Sequence, residues 1–222
     1  MSIHSTARVD PTACVDPTAT VEQFAEIGPG VVVGPGASVG ERCRVRRGVV
    51  VGKSATVSAN ARIEVGARIE VGAHVGPHTE IGVAATIGPF AQVGRQSVIG
   101  HHSVVSDHVR IYEEVQVGDN VWIDQRAELW NKVSVGSGAM VRAEAMIFEG
   151  ARIGEKSVIG TASRIYAGAE IGTRVVIRDA VGIAERDTVP DNALIRGDGM
   201  TWVPALDVSD PAPRRARRGM RR

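Results

Sequence analysis

From Ile3 to Val39 the chain reads IHSTAR-VDPTAC-VDPTAT-VEQFAE-IGPGVV-VGPGAS-V, and the first residue of every block of six is aliphatic. The same step continues without an insertion to Ile195, so that all 33 positions of the series are Val, Ile or Leu. The residue two before each is nearly always Ala, Ser, Thr, Val or Cys, with Met1 and Asp187 as exceptions, and the residue after it is Gly in fourteen cases. Residues two apart on a strand point the same way, so the small residue and the aliphatic one both face inward while their neighbours face out. Six residues are too few for a helix-containing repeat, and the alternation itself argues against helix. Each block is expected to be one short strand and a sharp turn, with Gly easing the turn. Such strands satisfy their backbone only by pairing with equivalents above and below, which gives a solenoid with columns of Val and Ile as its core.

This pattern resembles the hexapeptide-repeat acyltransferase superfamily, whose fold is a left-handed parallel β-helix of triangular section. The resemblance implies an all-β chain with three blocks per coil, hence 33/3 = 11 coils and a prism roughly 50 Å long at the usual strand spacing. The left hand is implied by the likeness alone, since the crossover rule would give the opposite. The helix is expected over residues 1–198, followed over 199–222 by an extension ending in a disordered basic tail, PAPRRARRGMRR, with six Arg and no acid. Such a tail is expected to be a solvated end or a weak, salt-dependent contact for acidic surfaces.

Composition narrows the function classes. Net charge is +1, with Lys+Arg 26 against Asp+Glu 25, so no specific nucleic-acid partner is expected. No apolar stretch approaches the length of a membrane span, and the start shows no secretory leader. Cys14 and Cys43 sit in no motif, which suits a reducing cytoplasm.

Writing the chain in rows of 18 gives the outward columns. Tyr112, Trp130, Phe148 and Tyr166 fall one above another, beside Arg110, Glu128, Met146 and Arg164. Another face carries Val104, Trp122, Met140, Val158, Val176 and Leu194, and the remaining face, with Glu80, Gln116, Ser134, Arg152 and Glu170, is expected to meet solvent. Apolar columns of this length are unusual on a soluble monomer. They are expected to form a subunit interface, to bind substrate, or both, because trimers of the resembled superfamily bind substrate between subunits. A homotrimer is the expected assembly.

The candidate chemistry lies in VIGHHSVVSDHVRIY, residues 98–112. The opening coils resemble UDP-sugar acyltransferases and related N-acyltransferases, in which a catalytic His follows the inward aliphatic by two residues within I-x-H-[DN]-C. Ile99-Gly100-His101-His102-Ser103 places His101 there, and the resemblance implies a general base for acyl transfer from acyl-CoA or acyl carrier protein to a sugar-like or amine acceptor. His102 stands where the orienting acid or amide is expected, so Asp107 in the next block is the substitute if the geometry allows, and His108 beside it is a further candidate catalytic residue, the pair standing in the reverse order of acid and His. Turn histidines without a role remain the alternative. The gamma-class carbonic anhydrases share the fold, which leaves a carbonic-anhydrase-like hydratase as a third and weaker reading, but their I-G-H-x4-H pattern requires His where this chain has Ser106, so no metal is expected. The unbroken register leaves no cofactor-wrapping loop, which keeps a non-catalytic assembly module open as a rival to the enzyme.

Overall fold

In the computed structural model, residues 2–197, 203 and 204 are described; the basic tail of the sequence reading lies outside them. Strands from Ser2–Ile3 to Ala193–Ile195 recur at the six-residue step, and no helix occurs among the described residues. They form three parallel sheets in which each strand pairs with the one 18 residues away, as Val105 does with Ile123 and Trp122 with Met140. The first face contains Arg110–Ile111, the second Gln116–Val117 and the third Trp122–Ile123. After the last coil, Val203–Pro204 returns antiparallel onto Ala193 and Leu194. The expected all-β solenoid of about 11 coils is therefore the observed one.

The core is the double column foreseen from the repeat: Ala127 and Leu129, or Val121 and Ile123, are at most 1% exposed. Thr79, Ser97, Ser103, Ser157 and Ser163 occupy the small-residue position and are buried too. Their hydroxyls are satisfied within the stack. The Ser103 hydroxyl donates to the Gly118 carbonyl (2.8 Å) and accepts the Val121 N–H (3.0 Å), so its burial leaves no orphan polar atom.

The turns differ in one respect from the sequence expectation. Glycines that follow the aliphatic residue are not where φ is positive; the left-handed residue comes two positions later and is mostly not Gly, as at His102 (φ 56°) and Arg126 (φ 57°). The glycine serves close approach instead. A Cβ on Gly100 would lie 2.4 Å from the Gly118 backbone of the next coil.

Cys43 fills a small-residue position at 0% exposure, and its thiol donates to the Ser58 carbonyl at 2.9 Å. Burial pushes its pKa up to about 11. Because the thiolate is the reactive form, alkylation of the native protein at neutral pH should label the exposed Cys14 and spare Cys43 until denaturant is added. Mass spectrometry of peptides from native and unfolded samples checks this.

Candidate functional site

Successive corners are six residues apart and stack on their equivalents only at a spacing of 18, and this divides the four candidate catalytic residues between two corners. His101 and His102 lie at the corner after the second face; Asp107 and His108 lie at the next corner, beyond the Val104–Val105 strand. Asp107 therefore does not orient His101, contrary to the arrangement considered from sequence.

At the first of these corners His101 is woven into the turns. Its Nδ1 accepts the Val83 N–H (2.9 Å) and its own N–H donates to Asp119 Oδ1 (2.7 Å), while the Asp119 N–H donates to Ser137 Oγ (3.1 Å). One side chain per coil thus caps the backbone of the coil below. With Nδ1 accepting, the neutral ring carries its proton on Nε2, so it offers a donor there and no free lone pair. His102 is exposed in the left-handed turn position, and its backbone N–H donates to the Val83 carbonyl.

The second corner is built differently. His108 Nδ1 faces Asp107 Oδ2 at 3.4 Å, and its ring lies 5.4 Å from that of Phe90, tilted 34°, one coil below. Phe90 holds φ at 57° and remains 53% exposed, a costly conformation for a bulky residue. Its ring lies over Gly72, where a Cβ would come within 2.7 Å of it. Gln92, Arg110 and Glu128 stand alongside on the first face, Arg110 holding Glu128 at 3.2 Å. With Phe90, His108 and Arg126 they line an open cleft of about 480 Å³. Arg126 approaches Glu144 only to 3.9 Å. The sequence reading missed Phe90, Gln92 and Arg126 here, although their 18-residue spacing from His108 and Arg110 was the available signal.

The aromatic column forms as expected. Tyr112–Trp130, Trp130–Phe148 and Phe148–Tyr166 have centroids 5.1, 5.6 and 5.2 Å apart with interplanar angles of 29°, 31° and 4°. Stacked in this way the rings cover one another's faces and turn their edges outward, which suits apolar packing better than a sugar laid on a ring. On the third face Trp122 (48%) and Met140 (39%) are exposed. Among the described residues no three His, Cys, Asp or Glu side chains gather as metal ligands would, and no helix is long and apolar enough to cross a membrane.

A family model, bacterial transferase hexapeptide (six repeats), matches residues 18–53. The chain is a hexapeptide-repeat β-helix. That match lies on the opening coils and includes neither corner histidine. No curated protein matches the hexapeptide-repeat chain in sequence. Among solved structures, the Arabidopsis UDP-N-acetylglucosamine acyltransferase superposes with a TM-score of 0.59 at 19% identity, over 84% of this chain and 70% of that one. The Campylobacter jejuni UDP-N-acetylglucosamine acyltransferase aligns at 20% identity over 82% of this chain and 71% of that one, with a TM-score of 0.39. Of these two superpositions, the first carries the likeness of fold.

Proposed function

We propose that this β-helix is an acyltransferase, moving an acyl group from the thioester of acyl-CoA or acyl carrier protein to a hydroxyl or amine of a sugar-like acceptor. The observation that carries the reading is the Asp107–His108 pair on a cleft that also presents Phe90, Arg110 and Arg126. Further support comes from the transferase family model on the opening coils and the Arabidopsis acyltransferase fold.

His108 is the base in this reading. With Asp107 as partner of Nδ1–H, Nε2 presents its lone pair to the cleft, the tautomer a general base requires. Nε2 takes the proton of the acceptor as its oxygen or nitrogen attacks the thioester carbonyl. The carbon–sulfur bond then breaks, and the imidazolium returns the proton to the departing thiolate. Arg126 and Arg110 offer guanidinium forks to anionic groups of donor or acceptor. His101, the base implied by the sequence resemblance, is a corner cap. A thermal-shift panel of acyl-CoAs tests the reading: a stabilisation that His108→Ala preserves and Arg126→Gln loses supports it, and no response to any thioester speaks against it.

The ridge of ring edges and the Trp122 column occupy two of three faces, as a threefold ring needs, because each protomer supplies both sides of one heterologous contact. The assembly proposed is a homotrimer, with the cleft beside the ridge completed by a neighbour. Trp130→Ala removes a central aromatic, a change that commonly costs an interface about 2 kcal/mol or more. Sedimentation should show the variant shifting from trimer towards monomer. A wild type that is already monomeric at micromolar concentration overturns the assembly.

The rival reading, a non-catalytic assembly module, is favoured by one observation. His101 is fully accounted for as a cap, so the motif that resembles the family's catalytic pattern has a structural explanation.

A further inference from the structure

The second face carries a separate cleft, nearer the start of the solenoid, that shares no residue with the His108 corner. It is open, encloses about 800 Å³, and is lined by Arg8, Arg44, Arg46 and Arg47 together with Asp10 and Glu26. Its chief element is the run Arg44-Val45-Arg46-Arg47. Val45 is the inward residue at 1% exposure; Arg44 before it on the strand and Arg46 just after the strand both project outward and are exposed, and Arg47 follows at the corner. Arg8 stands two coils away in the column of Arg44, with Glu26 between them.

The charges in this cleft are unevenly satisfied. Asp10 already accepts the Thr12 N–H (2.8 Å) and hydroxyl (2.6 Å), and Glu26 reaches Arg44 only at 3.9 Å. Among the described residues no carboxylate comes within 4 Å of Arg8, Arg46 or Arg47, whereas Arg62–Glu80 (2.7 Å) and Arg152–Glu170 (2.9 Å) on the same face are closely paired. Between these side chains the floor is bare backbone at Gly28, where a Cβ would sit 3.0 Å from the Val45 carbonyl oxygen. Arg46 and Arg47, adjacent in the chain and both without a carboxylate partner, stand beside this concave floor where they can donate to one multiply charged anion, and the planar fork of Arg matches phosphate oxygens in pairs.

We propose that this cleft binds a phosphate-bearing small molecule, with Arg46 and Arg47 donating to the phosphate oxygens and Arg8 and Arg44 at the margins. The proposal does not rest on acyl transfer, because it uses none of the residues at the His108 corner. The shared chemistry, a di- or triply charged phosphate, could belong to a free phosphate or to a nucleotide, and the two probes below separate these sources.

Calorimetric titration of the full chain with inorganic pyrophosphate and with ADP provides the test. Saturable binding of at least one probe is expected, weakening with added salt. Loss of a charge-assisted hydrogen bond to phosphate costs about tenfold or more in affinity, so Arg46→Gln/Arg47→Gln should weaken binding by at least that factor. Arg152→Gln, at the far end of the same face, should leave it unchanged. Both variants alter exposed side chains and should melt like the wild type, so a loss of binding reports the cleft. Equal affinity for the two probes supports recognition of phosphate alone; tighter ADP binding supports a nucleotide lying along the cleft. Absence of saturable binding by either probe, an equal loss in Arg152→Gln, or binding of heparin when both small probes fail overturns the proposal.

Discussion

His108→Ala is expected to slow acyl transfer about 10²–10⁴-fold, the factor a positioned general base commonly supplies. Folding should be unaffected, since His108 is an exposed corner residue outside both core columns. Asp107→Asn should fall between wild type and His108→Ala, because an amide can still accept from Nδ1–H but no longer stabilises the imidazolium. His101→Ala has a different signature. It removes the acceptor of the Val83 N–H and should cost about 1 kcal/mol of stability with little change in rate. Rates and melting temperatures of the three variants, measured side by side, separate the roles. If His101→Ala abolishes transfer while His108→Ala does not, the base is the one implied by the sequence motif and His101 is more than a corner cap.

Ile123→Asp should cost more than about 3 kcal/mol, since it buries a carboxylate without a partner. Ile123 is 0% exposed on the third face and its strand pairs with those of Val105 below and Val141 above. In a solenoid each coil is stabilised only by its neighbours, so the damage should spread as a loss of cooperativity between the two halves. Insolubility or an early-melting half, followed by circular dichroism and limited proteolysis, is the expected outcome. A soluble variant as stable as the wild type contradicts the register of the core.

That register was legible because it is written twice, in the aliphatic and the small position of every block. The ladder from Tyr112 to Tyr166 was legible for the same reason, since its four residues are 18 apart and columns need only counting. The corners were harder. His101 and Asp107 are close in sequence, yet six residues carry the chain across a whole face, whereas Phe90 is 18 residues from His108 and touches it. Nor does any spacing rule state that the His101 ring turns back to accept a backbone N–H. That depends on a rotamer and on the free donor of Val83 one coil below. The turn glycines were assigned the wrong task for a related reason: a single block shows the bend, and only stacked coils show the close approach behind Gly100.

The most direct test of acyl transfer is release of free thiol from a panel of acyl-CoA and acyl-carrier-protein thioesters by the wild-type protein, with sugar-nucleotide and amine acceptors present or omitted. Acceptor-dependent thiol release, with the acyl group recovered on the acceptor, is the predicted result. Assembled, folded protein that neither binds nor turns over any thioester would contradict it and leave the β-helix as a scaffold.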